Sequence, residues 1–222
     1  MPARRIAMLL STCALVAPAA ADAQSTGGTA APEPDPALSA TEHPLVGQVM
    51  QFRGTLPDEA GRVVTIERLD EESGAWVALA TAPIAADGSY LARWKADVAG
   101  RITTRATVAS SASETGAALA LAAPFETSVT VYRRALASWY GPGFYGRRTA
   151  CGVRMTRKLL GVAHKKLPCG TPVAIAYQGK SITVPVVDRG PFVKGRKWDL
   201  TAAAAKAVGF TYTDRLGAVR VD

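Results

Sequence analysis

Residues 186–201 read VVDRGPFVKGRKWDLT, and the rest of the chain is understood outward from them. An apolar strand pattern at Ile182, Val184 and Val186 runs into Asp188, where Arg189, Gly190 and Pro191 force a turn. A cationic loop follows, with Lys194, Arg196 and Lys197, then Trp198 and Asp199. Leu200 to Val208 reads as a short helix, with Asp199 as capping candidate and Gly209 as its stop. A lone carboxylate at a strand end, ringed by cations and aromatics, suits a site for a polar polymer.

The 222-residue chain is 48% hydrophobic, enough for one large domain or two modest ones. Its net charge of +8 hides a division. Residues 1–132 carry 9 Lys and Arg against 14 Asp and Glu, and residues 133–222 carry 17 against 4. Such asymmetry predicts two modules with different partners. The basic half contains no glutamate; its carboxylate side chains are Asp188, Asp199, Asp214 and Asp222. Basic residues among aromatics can track a phosphate backbone, but no nucleic-acid motif is present, and an export signal argues against that partner.

That signal occupies residues 1–23: Arg4 and Arg5, an apolar run from Ile6 to Val16, and Ala21-Asp22-Ala23 as cleavage site. Cys13 is a poor lipid-attachment site, because Thr12 precedes it and the apolar run continues beyond it. The expected destination is the cell envelope or the outside, with no transmembrane helix after cleavage. Residues 24–43, rich in Pro, Ala, Ser, Thr and Gly, read as a disordered tether.

From residue 44 to 133 short alternating strands are separated by turn signals, as at Asp87-Gly88, and the period of two is clear in Tyr90, Ala92 and Trp94. Strands at this spacing predict an all-β sandwich. The segment from Gly61 to Val108 resembles bacterial immunoglobulin-like repeats, with a Trp-bearing strand followed by a D-G-S-Y hairpin. Trp76 and Trp94 either fill its core or line a carbohydrate surface. No catalytic constellation occurs here.

Three collinear motifs lie in residues 134–222: ASWYGPGFYGRRTACG at 137–152, AHKKLPCGTPV at 163–173, and the stretch quoted first. Together they resemble the rare lipoprotein A group of double-psi β-barrels, and are similar to the expansin and barwin barrels. The resemblance implies a six-stranded barrel acting on bacterial peptidoglycan, in some members as a lytic transglycosylase that leaves 1,6-anhydro ends. It places Asp188, the Asp of D-R-G-P, as acid/base, with His164 assisting. Ser138, Trp139, Tyr140, Phe144, Tyr145, Thr149, Arg189 and Asp199 are the candidate substrate contacts. No cofactor or metal is expected, since only His164 and Asp188 offer themselves as ligands beside the cysteines. The protein is expected to act as a monomer.

The residues themselves leave alternatives open. Asp188 either serves the site or caps its turn and pairs with Arg189. His164 is an assistant or a structural histidine, and Asp199 a helix cap or a site residue. The aromatics are a glycan platform or core, and Thr149 bonds sugar or closes the barrel. Cys151 and Cys169 are the two cysteines left after signal removal, most simply a disulfide in an exported chain. The chain also departs from the family: acids that active members carry shortly after the glycine matching Gly152 are here Val153 and Thr156. What remains is closer to expansins, so non-catalytic loosening of wall polysaccharide is the alternative expectation.

Overall fold

The structure, a computed structural model, describes residues 38–108 and 125–221. The expected signal (1–23) and most of the expected tether lie outside the described residues, as do residues 109–124.

Among the described residues, seven strands build the N-terminal module: β1 (Ser39–Ala40), β2 (Val49–Thr55), β3 (Val63–Leu69), β4 (Trp76–Pro83), β5 (Ser89–Lys95), β6 (Gly100–Val108) and β7 (Phe125–Val131). They form two sheets, ordered β1-β2-β5 and β4-β3-β6-β7. Alternation puts Met50, Phe52, Tyr90, Ala92 and Trp94 from one sheet against Val64, Ile66, Ile102 and Val131 from the other, in a single buried cluster. Trp94 belongs to that core, whereas Trp76 lies on edge strand β4, partly exposed under the Arg105 guanidinium at 4.1 Å. Residues 38–43, read as the end of the tether, are structured instead: Leu38 is buried, and Ser39 and Ala40 pair with Arg53 and Phe52. Leu38 has an apolar cluster to join, which composition alone does not reveal.

After Tyr132 the chain enters a closed barrel of β8 (Arg133–Tyr140), β9 (Val162–Ala163), β10 (Pro172–Tyr177), β11 (Lys180–Asp188), β12 (Trp198–Thr201) and β13 (Asp214–Arg220). Its strand order is β10-β11-β9-β12-β8-β13. Val162, Val173, Ile175, Val184, Val186, Leu200 and Leu216 fill the interior with Phe210. Tyr132, Ala174, Ala176, Val219 and Val221 make a second cluster, joined by Leu45 and Ala99 of the first module. The two modules therefore meet on the outer face of β10 and β13.

One helix, α1 (Ala202–Val208), crosses from β12 to β13 and ends at Gly209 in a left-handed conformation. Its cap is Thr201, whose hydroxyl accepts from the Ala204 N–H, and not Asp199. Asp199 is too early to cap because β12 pairs in parallel with β8 from Trp198 to Thr201, so the strand ladder holds Asp199 and the helix starts later. Among the described residues no helix is long and apolar enough to cross a membrane.

Candidate functional site

Register across four neighbouring strands assembles the site. Ala163 of β9 pairs with Asp188 of β11 on one side and Asp199 of β12 on the other, and Asp199 pairs with Ser138 of β8. Paired residues project to the same face of a sheet, so Asp188, Ala163, Asp199 and Ser138 form one row outside the barrel core. Ala163 and Ser138 are buried and the aspartates half-buried, so the row is recessed beneath the flanking loops.

Asp188 joins this row only because of a β-bulge. Val184 and Val186 point into the barrel, and strict alternation would send Asp188 after them. Between Val186, paired with Val162, and Asp188, paired with Ala163, the register slips by one residue. Asp188 is thereby turned to the outer face. The extra residue, Val187, is buried against Gly161, where a Cβ would stand 2.4 Å from a Val187 methyl.

Hydrogen bonds then fix both carboxylates. Asp188 Oδ1 accepts from the N–H groups of Ala150 and Arg189, each at 2.8 Å, and Oδ2 accepts from the Tyr140 hydroxyl at 3.1 Å. Asp199 Oδ1 accepts from Ser138 Oγ at 2.8 Å, and Arg196 donates to that same Oγ at 3.0 Å. Burial raises the Asp199 pKa above the ordinary 3.8 and the Asp188 charge adds to it, against the Ser138 hydrogen bond and the Arg196 charge. Burial also pushes the Tyr140 hydroxyl up, reinforced by Asp188 and Asp199. Tyr140 therefore stays a neutral donor.

A test follows from the sign of the Asp199 shift. Its native carboxyl holds a proton more tightly than the unfolded one, so stability falls as pH rises from 3.8 through the raised native value. Asp199→Asn removes that penalty. Its thermal midpoint is expected above wild type at neutral pH, with the gap closing under acid. Equal midpoints at neutral pH would show that burial does not disfavour the charged form.

The other expected residues divide. His164 donates its backbone N–H to Asp188 O at 3.1 Å, but its ring does not reach the carboxylate as an assistant. Nδ1 accepts from the Lys166 and Leu167 N–H groups, and the ring lies tilted by 39° against Trp198 with centroids 4.5 Å apart. Burial, then Lys197, Arg189 and Lys165, lowers its pKa, keeping the ring neutral. Arg189 is likewise occupied, donating to Leu167 O at 2.9 Å. Thr149 is buried, and its hydroxyl accepts from Val153 N–H to close a turn. Phe144, 49% exposed, meets the Tyr140 ring edge-on and extends the row's apolar flank. Tyr145 packs near Gly141 beneath Arg157. Trp139 is turned away, because it falls between Ser138 and Tyr140 on the strand, and its indole donates to Thr211 O at 3.0 Å. Val153 and Thr156 are exposed and supply no acid.

Cys151 and Cys169 form a disulfide with Cα atoms 5.7 Å apart. It staples the loop bearing the Ala150 N–H to the segment before β10, so the bond steadies a donor to Asp188. Removing it in the Cys151→Ala/Cys169→Ala double variant is expected to cost about 3 kcal/mol for a closed loop of this length. Chemical denaturation measures this, and an unchanged midpoint would contradict it.

Residues 132–222 match a family model described as lytic transglycolase. The chain is 45% identical over 102 residues to a probable endolytic peptidoglycan transglycosylase RlpA of Synechocystis, covering 44% of this chain and 32% of that protein. The RlpA proteins of Aquifex aeolicus (48% over 80 residues, 35% of each chain) and Campylobacter jejuni (43% over 75 residues, 33% of this chain and 27% of that one) are also similar. The C-terminal module is thus similar to the RlpA double-psi β-barrels. This chain spans about a third of the length of these curated relatives. Streptomyces papain inhibitor aligns at 26% identity over 38% of this chain and 91% of its own, with a TM-score of 0.30.

Two parts of the site have no signal in the sequence. In the sequence Arg196 is one cation of a loop, and its reach to Ser138 depends on where that loop returns. The Ala150 N–H has no side-chain signature. Among the described residues, no three His, Cys, Asp or Glu side chains gather as metal ligands would.

Proposed function

We propose that this protein acts on peptidoglycan glycan strands in the bacterial cell envelope, as a lytic transglycosylase working through Asp188 and Asp199. The observation carrying this reading is the recessed row Asp188–Ala163–Asp199–Ser138, which sets two carboxylates two strand steps (~10 Å between Cα atoms) apart on one face. Asp199, inclined by burial to hold its proton, gives it to the glycosidic oxygen as the C1–O bond breaks. The sugar's own C6 hydroxyl closes on C1 and passes its proton to Asp188. One C–O bond breaks, one forms, and no water is consumed. Asp199 thus moves from the contact role expected of it to that of acid, while His164 holds its loop and the backbone of β11. The likeness to proteins named as endolytic peptidoglycan transglycosylases supports the same reaction.

The N-terminal two-sheet module, which the structure extends back to Leu38, is read as an immunoglobulin-like sandwich, a spacer or binder following a cleaved signal and a shorter tether. A second reading, loosening of the wall without cleavage, is favoured by the exposed Val153 and Thr156. Digestion of peptide-free sacculi followed by mass spectrometry separates the two. New 1,6-anhydro ends are expected, and sedimentation with sacculi without any new ends would establish the second reading.

A further inference from the structure

The loop 189–197 has both feet on the carboxylate row. It starts directly after Asp188, where Arg189 is tied to Leu167 O. It returns where Arg196 donates to Ser138 Oγ and the Lys197 N–H donates to Leu136 O, two residues before Asp199. Between the feet Gly190 and Pro191 are buried, while Phe192 is 81% exposed, Val193 52% exposed, and Lys194 exposed. Gly190 adopts φ +118°, a conformation open to glycine, and the edge of the Phe192 ring lies 3.6 Å from where its Cβ would be. The phenyl ring thus lies beside the turn with most of its surface in water, and no step of the proposed reaction uses it. Exposed aromatic surface on a loop anchored this closely is apolar area left uncovered by the fold.

We propose that Phe192 is a sugar-stacking subsite, taking the C–H face of a pyranose of the same glycan, while Lys194 meets a carboxylate on that polymer. The inference rests on the glycan reading above. Phe192 is four residues from Asp188, at most ~14 Å along the chain, a distance that a short run of sugars spans. A strand lying along the row passes the loop tip one or two sugars from the cleavage point. Two apolar residues beside Lys194, Arg196 and Lys197 also suit the surface of an anionic bilayer. Anchoring at both aspartates favours the glycan.

Sedimentation of the full chain with peptide-free peptidoglycan tests this, using Phe192→Ala, Phe192→Leu and Phe192→Tyr. The side chain is exposed, so thermal midpoints should match wild type. Phe192→Ala and Phe192→Leu are expected to weaken glycan binding about three- to tenfold, the worth of one aromatic stacking contact, while Phe192→Tyr retains it. A parallel arm uses vesicles of phosphatidylglycerol. If Phe192→Ala binds glycan like wild type, the subsite is overturned while the reaction stands, provided wild type still makes anhydro ends. Loss of vesicle binding with glycan binding intact assigns the tip to the membrane and also overturns it. If wild type neither binds nor cleaves glycan, the functional reading fails and takes the subsite with it.

Discussion

Asp188→Asn is expected to lower the release of anhydro-ended products by about 10²–10⁴-fold, the usual worth of a positioned acid/base. Asn fits the same bonds: its carbonyl can accept from the Ala150 and Arg189 N–H groups, and its amide can face Tyr140. The barrel should therefore keep its thermal midpoint and its affinity for sacculi while the reaction stops. Mass spectrometry of soluble products measures the loss, and circular dichroism confirms the fold. An unchanged product profile would remove Asp188 from the mechanism. Products retained by Asp188→Asn but lost by Asp199→Asn would put the whole burden on the second carboxylate.

Gly161→Ala, which touches neither carboxylate, is expected to have the next largest effect. Its added methyl would stand 2.4 and 2.6 Å from the two Val187 methyls, so either the bulge or β9 must shift. Overpacking of this kind costs about 1–3 kcal/mol. The cost should fall on the feature that aims Asp188, because Val187 is the inserted residue of the bulge. Activity should therefore drop further than fold stability accounts for at the assay temperature. Val187→Ala removes both clashing methyls, so the double variant is expected to be more stable than the sum of its parts, a positive coupling between residues in contact. Denaturation of the four members of the cycle measures it. Strict additivity would mean that Gly161 and Val187 do not meet as the structure places them.

Much of the architecture can be read from local pattern. Tyr90, Ala92 and Trp94 announce a strand with one buried face, and all three are buried in β5. Gly209 announces a helix end and supplies it. Two cysteines in a chain read as exported announce the disulfide that closes the Ala150 loop. These features depend on neighbours a few residues apart, or on counting, so the order of residues suffices. Asp199 was legible as a residue of interest but not as a strand residue, because a cap and a strand end look alike until the pairing with β8 is known. Trp139 was legible as a glycan platform or a core residue, yet the face it takes follows from Ser138 and Tyr140 meeting the two aspartates.

The sequence alone determined most of the strands and turns, that Cys151 and Cys169 stand as the natural pair, and that a carboxylate ends β11. Only the tertiary structure decided that this carboxylate faces outward beside a second one. The physical reason is that a side chain's face is set by register across strands distant in sequence, and a one-residue bulge between Val186 and Asp188 reverses it without altering the composition of either strand.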